Sequence, residues 1–161
     1  MVSNSELITV YIPTYNRVKF LKRAVNSVLS QSYQNFELII VDDCSPDETI
    51  KYLEKLSASD SRILFFKNVK NSGACVSRNK AITEAKGRYI TGLDDDDEFT
   101  PDRLEFLLKN FKENYSFVCS SLIVIDSKKS RCSSCRDLVF SEQDLLYDNV
   151  AGNQFFTYTR Y

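Results

Sequence analysis

Four short apolar runs recur along the first hundred residues: LITVYI at 7–12, FELIIV at 36–41, RILFFK at 62–67 and RYITGL at 88–93. Between them lie segments whose apolar residues return every third or fourth position. Phe20, Leu21, Ala24, Val25, Val28 and Leu29 do so over 19–31, one face of a helix. Strands separated by helices of this length are joined by right-handed crossovers and pair in parallel. FELIIV is apolar almost throughout, the pattern of a strand covered on both faces. The alternation predicts an α/β domain built on a mostly parallel sheet, with helices on both faces.

The remaining elements follow the same logic. A short helix is expected over 47–56, with Asp47 as its N-cap, and another over 74–85, stopped by Gly87. Thr100 and Pro101 read as the N-cap and first residue of a helix whose apolar face is Leu104, Leu107, Leu108 and Phe111. SFVCSSLIVI at 116–125 reads as one further buried strand, and the polar stretch 126–136 as a loop. Ser141 and Asp144 resemble a capping box opening a short helix through Tyr147, and FFTYT at 155–159 reads as a last strand. No repeat or linker divides the 161 residues, so a single domain is expected.

Charge and composition remove several classes of function. With 21 basic and 22 acidic residues the net charge is −1, and the positive charge is dispersed. Bulk attraction to nucleic acid or anionic lipid is therefore not expected. No apolar stretch approaches the roughly 20 residues of a membrane span, and MVSNSELITV lacks a signal-peptide pattern. A cytoplasmic location is the expectation, with a peripheral position at the inner face of the membrane as its variant. The five cysteines are irregularly spaced, and free thiols are expected rather than a disulfide framework. Cys132-x-x-Cys135 has no second such pair, so zinc would need distant partners such as Cys44 and Cys75. The chain has no histidine, which excludes Ser-His-Asp and Cys-His catalysis. Acid–base chemistry is left to carboxylates, lysine, tyrosine or a metal-bound water.

In open parallel sheets ligands bind beyond the carboxyl ends of the strands. The first strand runs into PTYN (13–16), the second into DDCSPD (42–47) and the fourth into DDDD (94–97). Tyr15 offers a flat ring suited to stacking on a nucleobase, although PTYN alone is also an ordinary turn. Asp42 and Asp43 can accept a base N–H or a ribose hydroxyl, or serve only the turn; the residues leave both open. Gly73 precedes a helix carrying Arg78 and Lys80, a solvated basic face or a clamp for a diphosphate. Neither GxGxxG nor GxxxxGK[ST] occurs, which removes the main support for dinucleotide and P-loop readings.

The acidic run from Asp94 to Glu98 fails as a calcium loop, because Phe99 stands where glycine is needed and Pro101 opens a helix inside it. A DxDxT phosphatase nucleophile fails as well, since Glu98 and Phe99 follow where the threonine belongs. What remains is a divalent-metal site of one or two carboxylates completed by substrate phosphates.

Taken in order, VYIPTYNR, SVLSQSY, FELIIVDDCSPDET, NSGACVSRNKAI and AKGRYITGLDDDDEFTPDRLE resemble the family 2 glycosyltransferases of the GT-A fold, over essentially the whole chain. The resemblance implies an inverting transfer of sugar from a nucleotide-sugar donor, a UDP-sugar, to a saccharide or lipid-linked saccharide acceptor. It puts Pro13, Thr14, Tyr15 and Asn16 in the nucleotide pocket, Asp43 on the base, Asp95 near the ribose and Arg78 near the diphosphate. Asp94 and Asp96 match the DxD motif that holds Mg²⁺ or Mn²⁺. It also implies a nucleotide-sugar-binding half over 1–125 and the start of an acceptor-side half over 126–161. The family's general base usually lies downstream of a stretch like NQFFTYTR, so here it is expected beyond Tyr161, and these residues alone are expected to bind donor but to transfer sugar poorly or not at all. A non-catalytic nucleotide-sugar-binding module and a nucleotidyltransferase are the competing classes; no glycine-rich loop suits the triphosphate of the second.

Overall fold

A computed structural model describes residues 6–112, 114–120, 123–125, 130–132 and 156–159. Strands β1 (Ile8–Thr14), β2 (Phe36–Asp42), β3 (Ile63–Lys67) and β4 (Tyr89–Gly92) alternate with helices α1 (Val18–Leu29), α2 (Thr49–Ser59) and α3 (Ala74–Glu84). Helix α4 (Arg103–Asn110) follows, then β5 (Phe117–Val118), β6 (Ile123–Ile125), β7 (Ser130–Cys132) and β8 (Phe156–Tyr158). The main sheet has the order β3-β2-β1-β4-β8-β5. Pairings among β1 to β4 are parallel, while β8 pairs antiparallel with both β4 and β5.

Alternation of side chains along the strands splits the core into two layers. Ile8, Val10 and Ile12 of β1 and Leu38 and Ile40 of β2 pack with Leu21 and Val25 of α1, Leu53 of α2 and Leu104 and Leu107 of α4. Tyr11, Ile39, Val41 and Ile90 face the other way, against Ala81 of α3 and its neighbour Ala85. Every residue of β1 and of β2 is buried, as a strand covered on both faces requires. Each fully buried aliphatic side chain contributes about 1.5–3 kcal/mol. The rings of Tyr89, Phe111, Phe156 and Tyr158 stack or meet edge-on with centroids 5.0–5.7 Å apart, which seats β8 beside β4.

Several local expectations are corrected. β1 does not end with the apolar run at Ile12 but continues through Pro13 to Thr14. Tyr11 and Thr14 carbonyls accept from Leu93 on one side and Asp43 on the other, so the N–H that Pro13 lacks would face the β4 side. There β4 has already ended at Gly92, and no ladder bond is lost. The run 116–125 is not one strand: β5 joins the main sheet, whereas β6 pairs antiparallel with β7 in a separate two-stranded ribbon. Cys119-Ser-Ser interrupts its apolar pattern at that point, and part of the expected loop 126–136 is the strand β7. Gly87 does not end α3 in a left-handed turn. It lies where a Cβ would fall 2.5 Å from the Thr9 nitrogen, so glycine is needed for close approach to β1. Thr100 makes no side-chain cap; α4 opens at Arg103, whose N–H donates to the Thr100 carbonyl. Cys135 and the helix expected from Ser141 to Tyr147 lie outside the described residues.

Candidate active site

Backbone bonds tie together the carboxyl ends of the parallel strands. The Asp43 N–H donates to the Thr14 carbonyl, that of Asn68 to Asp42 and that of Leu93 to Tyr11. Asn16 (φ 54°) and Cys44 (φ 68°) take left-handed conformations that turn the chain sharply at the ends of β1 and β2. The two turns are pinned to one another, because the Asn16 N–H donates to Ser45 Oγ at 2.7 Å. Asp47 is not the N-cap expected of it, a place that Glu48 holds in α2, but stands one residue before that cap. Its carboxylate accepts the first N–H of α2 (Thr49, 3.0 Å) and the first of α1 (Val18, 3.3 Å).

These turns frame a cleft of about 380 Å³. It is lined by Pro13, Thr14 and Tyr15 from the end of β1, Asp43 from the end of β2, and Asp94, Asp95 and Asp96 from the loop after β4. Ala74, Ser77 and Arg78 of α3 and Arg17, just before α1, complete the lining. Of the nucleotide and metal residues expected from sequence, only Asn16 is not part of it; its backbone instead fixes the neighbouring turn. Arg17 and Ser77 went unnoticed in the sequence. One signal did exist for Arg17, since a cation at the start of a helix opposes the positive end of the helix dipole and needs another reason to be there.

The carboxylates have distinct surroundings. Asp95 is buried; Oδ2 accepts the Thr14 hydroxyl at 2.8 Å and Oδ1 lies 3.4 Å from Arg17 Nη1. Burial pushes its carboxyl above the ordinary range, and the Thr14 bond and the Arg17 charge only partly oppose this. Asp96 is half exposed, with Oδ2 2.9 Å from the same Arg17 nitrogen. Asp94 Oδ1 accepts Arg78 Nη2 at 2.7 Å. Glu98 is drawn out of the cleft by Arg23 on α1.

Asp43 is 3% exposed and holds the loop before α3. Oδ1 accepts from Asn68 Nδ2 (2.7 Å) and the Ser72 N–H (3.0 Å), and Oδ2 from the N–H groups of Ser72 (3.0 Å) and Gly73 (2.7 Å). Burial alone would raise its pKa, but the hydrogen bonds from Asn68, Ser72, Gly73 and Ser77 outweigh it and hold the carboxyl below the ordinary value. Asn68 Nδ2 also reaches Ser77 Oγ at 3.0 Å, so Asp43, Asn68 and Ser77 form one buried polar link from β2 to α3.

The donor set suits a hard divalent cation. Asp94 and Asp96 each give one oxygen to an arginine and keep a second, and both line the cleft. Among the described residues no group of three or more His, Cys, Asp or Glu side chains could hold a metal by itself.

Residues 9–158 match the model of glycosyl transferase family 2. WcaA of Escherichia coli (strain K12), named as a colanic acid biosynthesis glycosyl transferase, is 39% identical over 165 residues, covering 98% of this chain and 58% of its own length. TuaG of Bacillus subtilis (strain 168), named for teichuronic acid biosynthesis, is 36% identical over 156 residues, 95% of this chain and 60% of its own. The chain thus spans about six-tenths of the length of these relatives. Among solved structures, S. aureus TarS 1-349 in complex with UDP-GlcNAc superposes with a TM-score of 0.58 at 31% identity, over 62% of this chain and 29% of TarS 1-349. The sheet order and this superposition define a fold of the GT-A type. The chain belongs to glycosyl transferase family 2. No helix among the described residues is long and apolar enough to cross a membrane.

Proposed function

We propose that this chain is the donor-binding part of an inverting glycosyltransferase that takes a UDP-sugar and passes the sugar to a saccharide or lipid-linked saccharide hydroxyl. The observation that carries the reading is the convergence of Tyr15, Asp43, Arg78 and the run Asp94–Asp96, from four separate segments, on one cleft. The UDP-GlcNAc complex of a 31% identical relative supports the choice of uridine donor.

In this reading Tyr15, 43% exposed at the cleft, stacks on the uracil. Asp43 shapes the base pocket chiefly by holding Ser72 and Gly73, since its oxygens are already engaged by protein donors. Asp95 fixes Thr14 and lies beside the ribose. Arg78 leaves Asp94 to meet the diphosphate, a bidentate anion that a guanidinium fork matches well. Asp94 and Asp96 would hold Mg²⁺ or Mn²⁺, which as a Lewis acid offsets the charge that develops on the leaving diphosphate. Among the described residues every carboxylate lining the cleft is already engaged as an ion-pair or hydrogen-bond partner.

UDP titrated calorimetrically is expected to bind at least tenfold more weakly in EDTA than in Mn²⁺, because the diphosphate then meets the acidic run with less compensation. Equal affinity in both conditions sinks the metal assignment. Tyr15→Ala is expected to lose about 1–3 kcal/mol of UDP binding, the scale of one base–aromatic stack. Parent-like affinity in that variant would move the base elsewhere.

A further inference from the structure

Arg17 has an unusual place. It is the residue before α1, at the positive end of a helix dipole, and the first turn of α1 contains no acidic residue. What offsets its charge comes from the loop after β4, 78 and 79 positions away: Asp95 Oδ1 at 3.4 Å and Asp96 Oδ2 at 2.9 Å from one guanidinium nitrogen. The Arg17 side chain is 52% exposed and that of Asp96 50%, whereas that of Asp95 is 8% exposed and fixed by Thr14. Asp95 is thus held in place by Thr14, while the shorter contact, between two half-exposed side chains at Asp96, is the one open to exchange.

Resting on the donor-binding reading above, we propose that Arg17 is the internal counter-cation of this cleft, one that a divalent ion displaces from Asp96. Before ligand arrives, the guanidinium neutralises adjacent carboxylates that would otherwise repel one another and any incoming diphosphate. A doubly charged ion on Asp96 repels the guanidinium and offers the carboxylate a stronger partner, so Arg17 gives way. Metal binding is weakened by the competition it must win, and nucleotide binding without metal is helped by the charge Arg17 supplies. The exchange makes Arg17 a positioning residue for the acidic loop and sets how strongly nucleotide binding depends on metal.

The test uses the whole chain, with Arg17→Gln and Arg17→Lys, and circular dichroism to confirm the fold. Mn²⁺ alone is titrated and its free signal followed by electron paramagnetic resonance; UDP is titrated separately in EDTA. Arg17→Gln is expected to bind Mn²⁺ about fivefold more tightly than the parent and metal-free UDP about fivefold more weakly, the scale of one half-exposed ion pair. Arg17→Lys, which keeps the charge, is expected to stay near the parent in both. If the parent's own Mn²⁺ binding is too weak to measure, Arg17→Gln must bring it into range. Unchanged or weaker Mn²⁺ binding in Arg17→Gln overturns the proposal. The parent is also titrated with Mn²⁺ and UDP together. Absence of any coupling there overturns the donor reading and this inference alike, whereas coupling in the parent with no effect of Arg17→Gln overturns the role of Arg17 alone.

Discussion

Asp96→Asn is expected to lower UDP affinity in Mn²⁺ by about 100-fold, the upper end of what even outer-shell metal partners contribute. Asparagine keeps the size of the side chain and one oxygen, so the loop should persist. It removes the negative charge that a hard divalent cation needs. Stability is expected to change by no more than about 0.5 kcal/mol, because Asp96 is half exposed and its pairing with Arg17 is of the kind that contributes little. In EDTA the variant is expected to bind UDP no worse than the parent, since one repulsive charge is gone. Glu98→Gln is the control. Its carboxylate is paired with Arg23 on α1 and is not part of the cleft lining, so metal-dependent binding should survive. Calorimetry on the three proteins in both buffers makes the comparison. A loss in Glu98→Gln equal to that in Asp96→Asn would mean that the acidic run acts through its summed field rather than through a ligand at Asp96.

Most of the parallel sheet was legible because its strands are buried on both faces, and continuous apolar composition is what such burial demands. FELIIV could hardly have been anything else. FFTYT was read as a strand and β8 lies within it, but the antiparallel pairings of β8 with β5 and of β6 with β7 in their separate ribbon were not legible, for two reasons. β7 is Ser-Arg-Cys, and only its pairing with β6 makes it a strand. β5 takes its direction from β8, about forty residues further on, whose place is fixed by the aromatic cluster around Tyr89. In the site, charges that interrupt an apolar pattern stood out, as Asp94 to Asp96 did. Residues whose roles depend on distant partners did not: Arg17 needs Asp95 and Asp96, and Asn68 and Ser77 need Asp43. Gly87 was noticed for the wrong reason. Its neighbour in space is β1, which no local reading of AKGRY reveals.

Asp43 allows the sequence reading and the structural reading to be separated by experiment. The resemblance assigns it to the base, while the geometry gives its carboxylate to Asn68, Ser72 and Gly73. Removing it leaves several buried donors unmatched, and hydrogen bonds to a charged acceptor contribute more than neutral ones. Asp43→Ala is therefore expected to lose about 3–5 kcal/mol of unfolding free energy in urea. The pH dependence follows from the lowered pKa. Because the folded-state pKa lies below the unfolded value of about 3.9, the carboxylate's contribution is fully present above that pH. It is lost as pH falls through the folded pKa, so the parent should lose stability more steeply below about pH 4 than Asp43→Asn does. Gly73 (φ 88°) leads directly into α3, so loosening this loop also shifts Ser77 and Arg78. UDP affinity is expected to fall with stability, by about tenfold or more in Asp43→Ala, since an interaction a positioned group makes is lost when its support moves by about 1 Å. Asp43→Asn decides between the readings. An asparagine that unfolds like the parent yet loses uridine preference would show that the carboxylate meets the base directly. An asparagine that loses stability and affinity together, with its preference among nucleotides unchanged, would show that Asp43 acts by holding the wall of the pocket.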